Sequence, residues 1–246
     1  MTGPLRAALD GRDLDLTLYL VTDTTLCGGD DEVGRVARAA VDGGATLVQV
    51  RDPDADDERI LRLTRSVVRA LEGTGVPVVI NDRVDLVEAA GAAGAHVGQG
   101  DLPPERARAL LGPDKVLGLS CQTLAHVEAA RSLPAGTLDY LGLGPVWEQS
   151  TKPDAATPAG PEGIAALVAA SPWPTVAIGG IGIDRIHQLP ATGVDGAAVV
   201  SAICAAPDPR EAAATLLARW REAAERHTTE PTEPTDPPEP TDEEAR

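Results

Sequence analysis

A short apolar run followed by a segment with helically spaced apolar residues recurs eight times along this chain, and few architectures accept eight such units in succession. The first unit is Leu16 to Thr22 (LTLYLVT) with Asp31 to Asp42, which stops at Gly43-Gly44. Thr46 to Val50 with Asp57 to Leu71, Val76 to Ile80 with Arg83 to Ala90, and Ala95 to Val97 with Pro104 to Leu111 follow. The second half reads Lys115 to Leu119 with Leu124 to Ser132, Tyr140 to Leu143 with Pro161 to Ala170, Thr175 to Ile178 with Ile183 to Leu189, and Gly196 to Val200 with Asp208 to Arg226. Near-continuous apolar strands belong to parallel sheets covered on both faces, and glycines after helices supply left-handed caps. The pattern predicts an α/β fold, a single-domain (β/α)8 TIM barrel over residues 15–227 after an N-terminal extension at 1–14. An open doubly wound sheet is the rival.

The 43% hydrophobic content of 246 residues suffices for one sizeable core, and with no Phe that core must be packed from aliphatic layers. A formal charge of -17 argues against nucleic acid as a partner, since phosphate backbones need clustered Lys and Arg. Part of that charge sits in Thr228 to Arg246, a Pro/Glu-rich segment with seven carboxylates, one Arg and no large apolar residue, which predicts a disordered acidic tail at 228–246. No apolar run long enough to span a membrane and no signal-peptide pattern are present, so a cytoplasmic protein without a membrane partner is expected. Cys27, Cys121 and Cys204 are widely spaced and read as reduced, buried thiols. Homo-oligomerisation stays open.

In such a barrel the residues just after each strand gather on the catalytic face, however distant in sequence. Here they are rich in polar groups, Gln49 and Arg51, Asn81 and Asp82, His96 and Asp101, Ser120 and Ser201, with Gly179-Gly180 among them. The glycines after strand seven and Ser201 after strand eight fit the recurrent barrel phosphate site, with backbone N–H groups open to an anion. A tight turn with Ser201 capping the last helix is the plainer alternative. Asp82 and Asp101 follow neighbouring strands and could share one Mg²⁺, whose remaining positions would be filled by water and substrate phosphate; each could equally cap the helix behind it. Thr151 and Lys152 lie in a long loop after strand six, either a lid over an anion or a solvated segment. His96, at the end of strand four, could donate to a substrate ring or to Gln49, or serve as a structural histidine.

Read together, the strings YLVTD, GGATLVQVRD, VVINDRVDL, AHVGQGDLP, LGLSCQT, DYLGLGPVWEQSTKPD, VAIGGI and DGAAVVSAI resemble the thiamine-phosphate synthase family, in this order and each at a strand end. The resemblance implies a Mg²⁺-dependent transferase that joins a hydroxymethylpyrimidine diphosphate to thiazole phosphate and releases diphosphate. It implies Asp82 and Asp101 as metal ligands, and Arg51, Asn81 and Lys152 on the diphosphate. Gln49, His96 and Ser120 would take the pyrimidine side, and Thr151, Gly179, Gly180 and Ser201 the thiazole phosphate, with Val200 also binding substrate; Arg51, Lys152 and Ser120 would be the catalytic set. Two positions depart from the family: its Arg-x-Lys after strand two is Arg51-Asp52-Pro53, and one hydroxyl of its strand-six loop is replaced by Gln149. Two readings compete. A thiazole tautomerase shares the barrel but usually has His where this chain has Ser120-Cys121-Gln122. A non-catalytic paralogue would bind a thiamine precursor, with Pro53 and Gln149 as its motivation.

Overall fold

The computed structural model describes residues 8–9, 12–149 and 157–229. Eight parallel strands close into a barrel: β1 (Leu18–Val21), β2 (Leu47–Val50), β3 (Val78–Asn81), β4 (Gly94–Val97), β5 (Val116–Cys121), β6 (Tyr140–Leu143), β7 (Thr175–Ile178) and β8 (Gly196–Val199). Each strand pairs with the next and β8 pairs with β1, with Ala197 opposite Leu18 and Ala198 opposite Tyr19. The sheet is therefore closed, not open. Ahead of it, Ala8–Leu9 and Arg12–Asp13 form a short antiparallel pair.

Around the barrel lie α1 (Thr24–Cys27), α2 (Asp30–Asp42), α3 (Asp57–Ala70), α4 (Val87–Ala90), α5 (Pro104–Leu111), α6 (Leu124–Arg131), α7 (Gly160–Ala170), α8 (Ser201–Cys204) and α9 (Pro209–Thr229). Alternation along the strands divides the core in two. Leu18, Leu20, Val48, Val50, Val78 and Ile80, with their counterparts on later strands, face outward and pack under the helices. Tyr19, Val21, Leu47, Val79, Val116, Tyr140, Val176 and Ala198 fill the barrel.

Two helices of the sequence reading need correction. Ile183 to Leu189 contains no α-helix; it gives way to 3₁₀ turns at Ile186–Gln188 and Pro190–Thr192, because the stretch between Gly182 and Pro190 is short and Pro190 lacks the N–H a continuing helix requires. Arg83 to Ala90 is a 3₁₀ turn, Val84–Leu86, running into the single α-turn of α4. One-turn helices after β1 and β8, α1 and α8, were not expected; Asp23 caps the first by accepting from the Leu26 N–H at 2.9 Å. Among the described residues no helix is long and apolar enough to cross a membrane.

Candidate active site

The barrel interior changes character toward the C-terminal ends of the strands. Leu47 is followed two residues later on the same face by Gln49, Val79 by Asn81, Gly94 by His96, and Gly118 by Ser120. These inward positions, with Arg51 and Val200, line a pocket at that mouth, so six of the residues singled out from sequence are brought together.

Below the pocket runs a continuous chain of side-chain hydrogen bonds. Gln49 Nε2 donates to the Tyr19 hydroxyl at 2.6 Å, the Tyr19 and Tyr140 hydroxyls lie 3.0 Å apart, Tyr140 OH is 2.9 Å from His96 Nδ1, and His96 Nε2 is 2.9 Å from Ser120 Oγ. Among the described residues His96 is linked to Gln49 through the two tyrosines, not directly as the sequence reading allowed. Burial pushes both phenols above their ordinary range, so each keeps its proton. Two strand glycines make room for the chain. His96, Gly118 and Tyr140 stand in one register row across β4, β5 and β6, as do Ser120 and Gly142 across β5 and β6. A Cβ on Gly118 would land in the Tyr140 ring and 2.5 Å from His96 Nδ1; one on Gly142 would lie 2.9 Å from His96 Cε1.

The rim holds the charged groups. The Arg51 N–H is anchored on Thr22 Oγ1 at 3.1 Å, and no carboxylate pairs with its guanidinium among the described residues. Asp82 is the non-glycine with positive φ among the described residues, at 62°. Short polar side chains are the ones that tolerate this region. Its N–H donates to the His96 carbonyl at 2.9 Å, and Asn81 Nδ2 donates to its Oδ2 at 2.6 Å. Asp101 Oδ2 accepts from the Gly98 N–H at 2.8 Å. Neither aspartate caps a helix: the 3₁₀ turn after Asp82 opens at Arg83 and α5 at Pro103, both without a side-chain cap. Pro53 is exposed, between Asp52 and Ala55 of a turn closed by Ala55 N–H to Asp52 O at 3.3 Å, a position its fixed φ suits.

Gly179 and Gly180 have φ of 106° and 66°. A Cβ on the first would lie 2.6 Å from Pro145 Cβ, and on the second 2.5 Å from the Glu148 carbonyl, so packing against the strand-six loop already demands glycine at both. Ser201 opens α8 and does not cap the final helix. That role falls to Asp208, whose Oδ1 accepts from the Arg210 and Glu211 N–H groups at 3.0 and 3.1 Å. Gln122 and Gln149 line the pocket as well. Thr151 and Lys152 lie outside the described residues, as does the segment from Glu230 onward. The sequence reading missed Tyr19 and Tyr140.

The family model described as thiamine monophosphate synthase matches residues 18–203, that is, β1 through α8. The chain belongs to the thiamine monophosphate synthase family. Among curated relatives, the thiamine-phosphate synthase of Psychrobacter sp. (strain PRwf-1) is 49% identical over 204 residues, 83% of this chain and 95% of that protein. The thiamine-phosphate synthase of Azorhizobium caulinodans is 45% identical, covering 82% and 93%. A solved thiamine phosphate pyrophosphorylase from Pyrococcus furiosus superposes with a TM-score of 0.75 at 32% identity, over 85% of this chain and 98% of that one. The family match spans every strand that contributes a pocket residue, so the polar mouth lies wholly within the part of the chain shared with these synthases.

Proposed function

We propose that this chain is a cytoplasmic thiamine-phosphate synthase, transferring the hydroxymethylpyrimidine group from its diphosphate to the nitrogen of thiazole phosphate. The observation that carries the reading is the mouth itself: Gln49, Arg51, Asn81, His96 and Ser120 converge there from four successive strands and their ends, in a chain that shares its family across all of them. In the reaction the methylene C–O bond to diphosphate breaks and a C–N bond to the thiazole forms, the pyrimidine ring sharing the positive charge between the two events. Arg51 receives the departing diphosphate, and the Asn81 amide, fixed against Asp82, faces the same group. Gln49 and Ser120 hold the pyrimidine so that its methylene faces the thiazole nitrogen. The thiazole phosphate sits at Gly179, Gly180, Val200 and Ser201; Thr151 and Lys152 are assigned to the anions by the sequence resemblance alone.

Asp82 and Asp101 fit Mg²⁺. They follow consecutive strands, each has one carboxylate oxygen fixed by a neighbouring N–H, and an octahedral shell completed by water and substrate oxygens needs no third protein ligand. When bound, the ion neutralises charge on the leaving diphosphate.

The test is diphosphate release by the purified protein given both substrates and Mg²⁺, with each omitted in turn. Release that requires all three, with thiamine phosphate formed in equal amount, is the expected result. Binding of thiamine phosphate without turnover would replace the synthase by a non-catalytic binder, and isomerisation of a thiazole phosphate without diphosphate release would replace it by the tautomerase.

A further inference from the structure

The polar chain beneath the pocket has a direction, set at the Gln49 end. An amide N–H only donates, so the Tyr19 hydroxyl accepts from Gln49. Tyr19 is buried and has one proton to place, and the remaining partner its hydroxyl faces is Tyr140. Tyr140, also buried, must then pass its own proton to His96 Nδ1. An imidazole that accepts at Nδ1 and is neutral carries its proton on Nε2, which points at Ser120 Oγ. With one lone pair taken, the Ser120 hydroxyl is left to donate into the pocket it lines. At the other end the Gln49 carboxamide oxygen diverges from the pinned nitrogen and gives the same pocket an acceptor.

We propose that Tyr19 and Tyr140 are positioning residues that fix His96 as its Nε2–H tautomer, so that Ser120 donates and Gln49 accepts toward the ligand, a pattern complementary to an aminopyrimidine and opposed to an oxopyrimidine. An aminopyrimidine offers a ring-nitrogen acceptor beside an exocyclic N–H donor. The oxo analogue sets its carbonyl against the Gln49 oxygen, and its ring N–H can be met only by the second lone pair of Ser120, which leaves the Ser120 proton without an acceptor on the ring. Gly118 is what allows the tyrosine and the imidazole to meet, since any side chain there would part them. The specificity rests on the synthase reading; the tautomer does not.

Two measurements on the full chain keep these separable. The first is the imidazole ¹⁵N–¹H correlation spectrum of ¹⁵N-histidine-labelled protein without substrate, with His96→Gln to assign the His96 signals. A neutral Nε2–H ring in the wild type, shifting to the Nδ1–H form or a mixture in Tyr140→Phe, is expected. An Nδ1–H or doubly protonated His96 in the wild type overturns the relay whatever the variants do. The second is kcat/KM for the aminopyrimidine diphosphate against its oxo analogue, where a site that pairs polar groups should prefer the amino form by about 100-fold or more. Tyr140→Phe should reduce that preference about 10-fold, through KM for the pyrimidine, with kcat less affected. An unchanged preference with an unchanged tautomer overturns the positioning role. No turnover of either pyrimidine beside an intact Nε2–H tautomer overturns the synthase reading and the specificity, and supports the relay alone.

Discussion

Replacing Gly118 by Ala would test whether the space under the pocket is made by a missing side chain. The added Cβ lands in the Tyr140 ring and 2.5 Å from His96 Nδ1; Tyr140 is fully buried inside the closed barrel, so the clash is relieved chiefly by pushing His96 toward the pocket it lines. Overpacking of this kind costs roughly 1–3 kcal/mol. Parting the rings also loses the 2.9 Å His96–Tyr140 contact and strains the 3.0 Å Tyr19–Tyr140 contact. Each is worth about 1 kcal/mol net. Alanine recovers roughly 0.5–1 kcal/mol of backbone entropy relative to glycine. The balance is a destabilisation of about 2–4 kcal/mol, which at roughly 2–4 °C per kcal/mol for a chain of this size lowers Tm by about 10 °C. Differential scanning calorimetry reads the first quantity, and titration of the pyrimidine diphosphate reads the expected rise in its KM. A Tm within about 1 °C of the wild type together with an unchanged KM would refute the argument.

Four further outcomes are expected. Asp101→Ala should remove Mg²⁺-dependent turnover and leave the denaturant midpoint nearly unmoved, since Asp101 is exposed and bonds only within its own loop; full activity in that variant would sink the metal assignment. Arg51→Ala should lower kcat/KM by roughly 10- to 150-fold, the loss of one charge-assisted contact, measured by diphosphate release; an unchanged value would remove Arg51 from the anion site. Among the thiols, Cys27 should label first, its thiol drawn below the ordinary value by the hydrogen bond with Cys204, whereas burial pushes Cys121 up to about 12; peptide mapping after a short pulse of alkylating reagent that found Cys121 first would contradict this. Asp30 is held below the usual carboxylate range, chiefly by the Arg59 hydrogen bonds. A depressed carboxylate contributes stability above its unfolded-state pKa and loses it as pH falls through the folded value. Asp30→Asn should therefore lower the urea midpoint slightly near neutrality and leave it unchanged in acid; the opposite pH trend would reverse the sign.

The barrel was legible because eight strands buried on both faces leave eight apolar runs, and the helices between them keep their spacing. It blurred where a local choice overrode the pattern. Pro190 cut short the helix after β7, and Asp23 and the turn before Asp30 inserted α1 into what read as a loop. Of the site, the pocket residues at strand ends could be found because topology alone brings strand ends together. Tyr19 and Tyr140 could not, since each sits amid apolar neighbours and its hydroxyl finds a partner only when the barrel closes. The signals were faint but present: the two tyrosines of a chain without Phe both fall on strands, and Gly118 and Gly142 interrupt strands where a close approach is the usual reason for glycine. The capping alternatives for Asp82, Asp101 and Ser201 turned on backbone geometry that residue type does not specify.

Closure of β8 onto β1 also bears on how the chain is made. The free edge of Leu18–Val21 has no partner until Gly196–Val199 is available, so a nascent chain carries two open strand edges through nearly all of its synthesis. Contacts between the first strand and the last are the most distant the barrel contains, and such contacts form late. A ribosome-bound fragment ending before β8 would hold most of the apolar surface and none of the seal, which makes it the species a chaperone or a protease would meet.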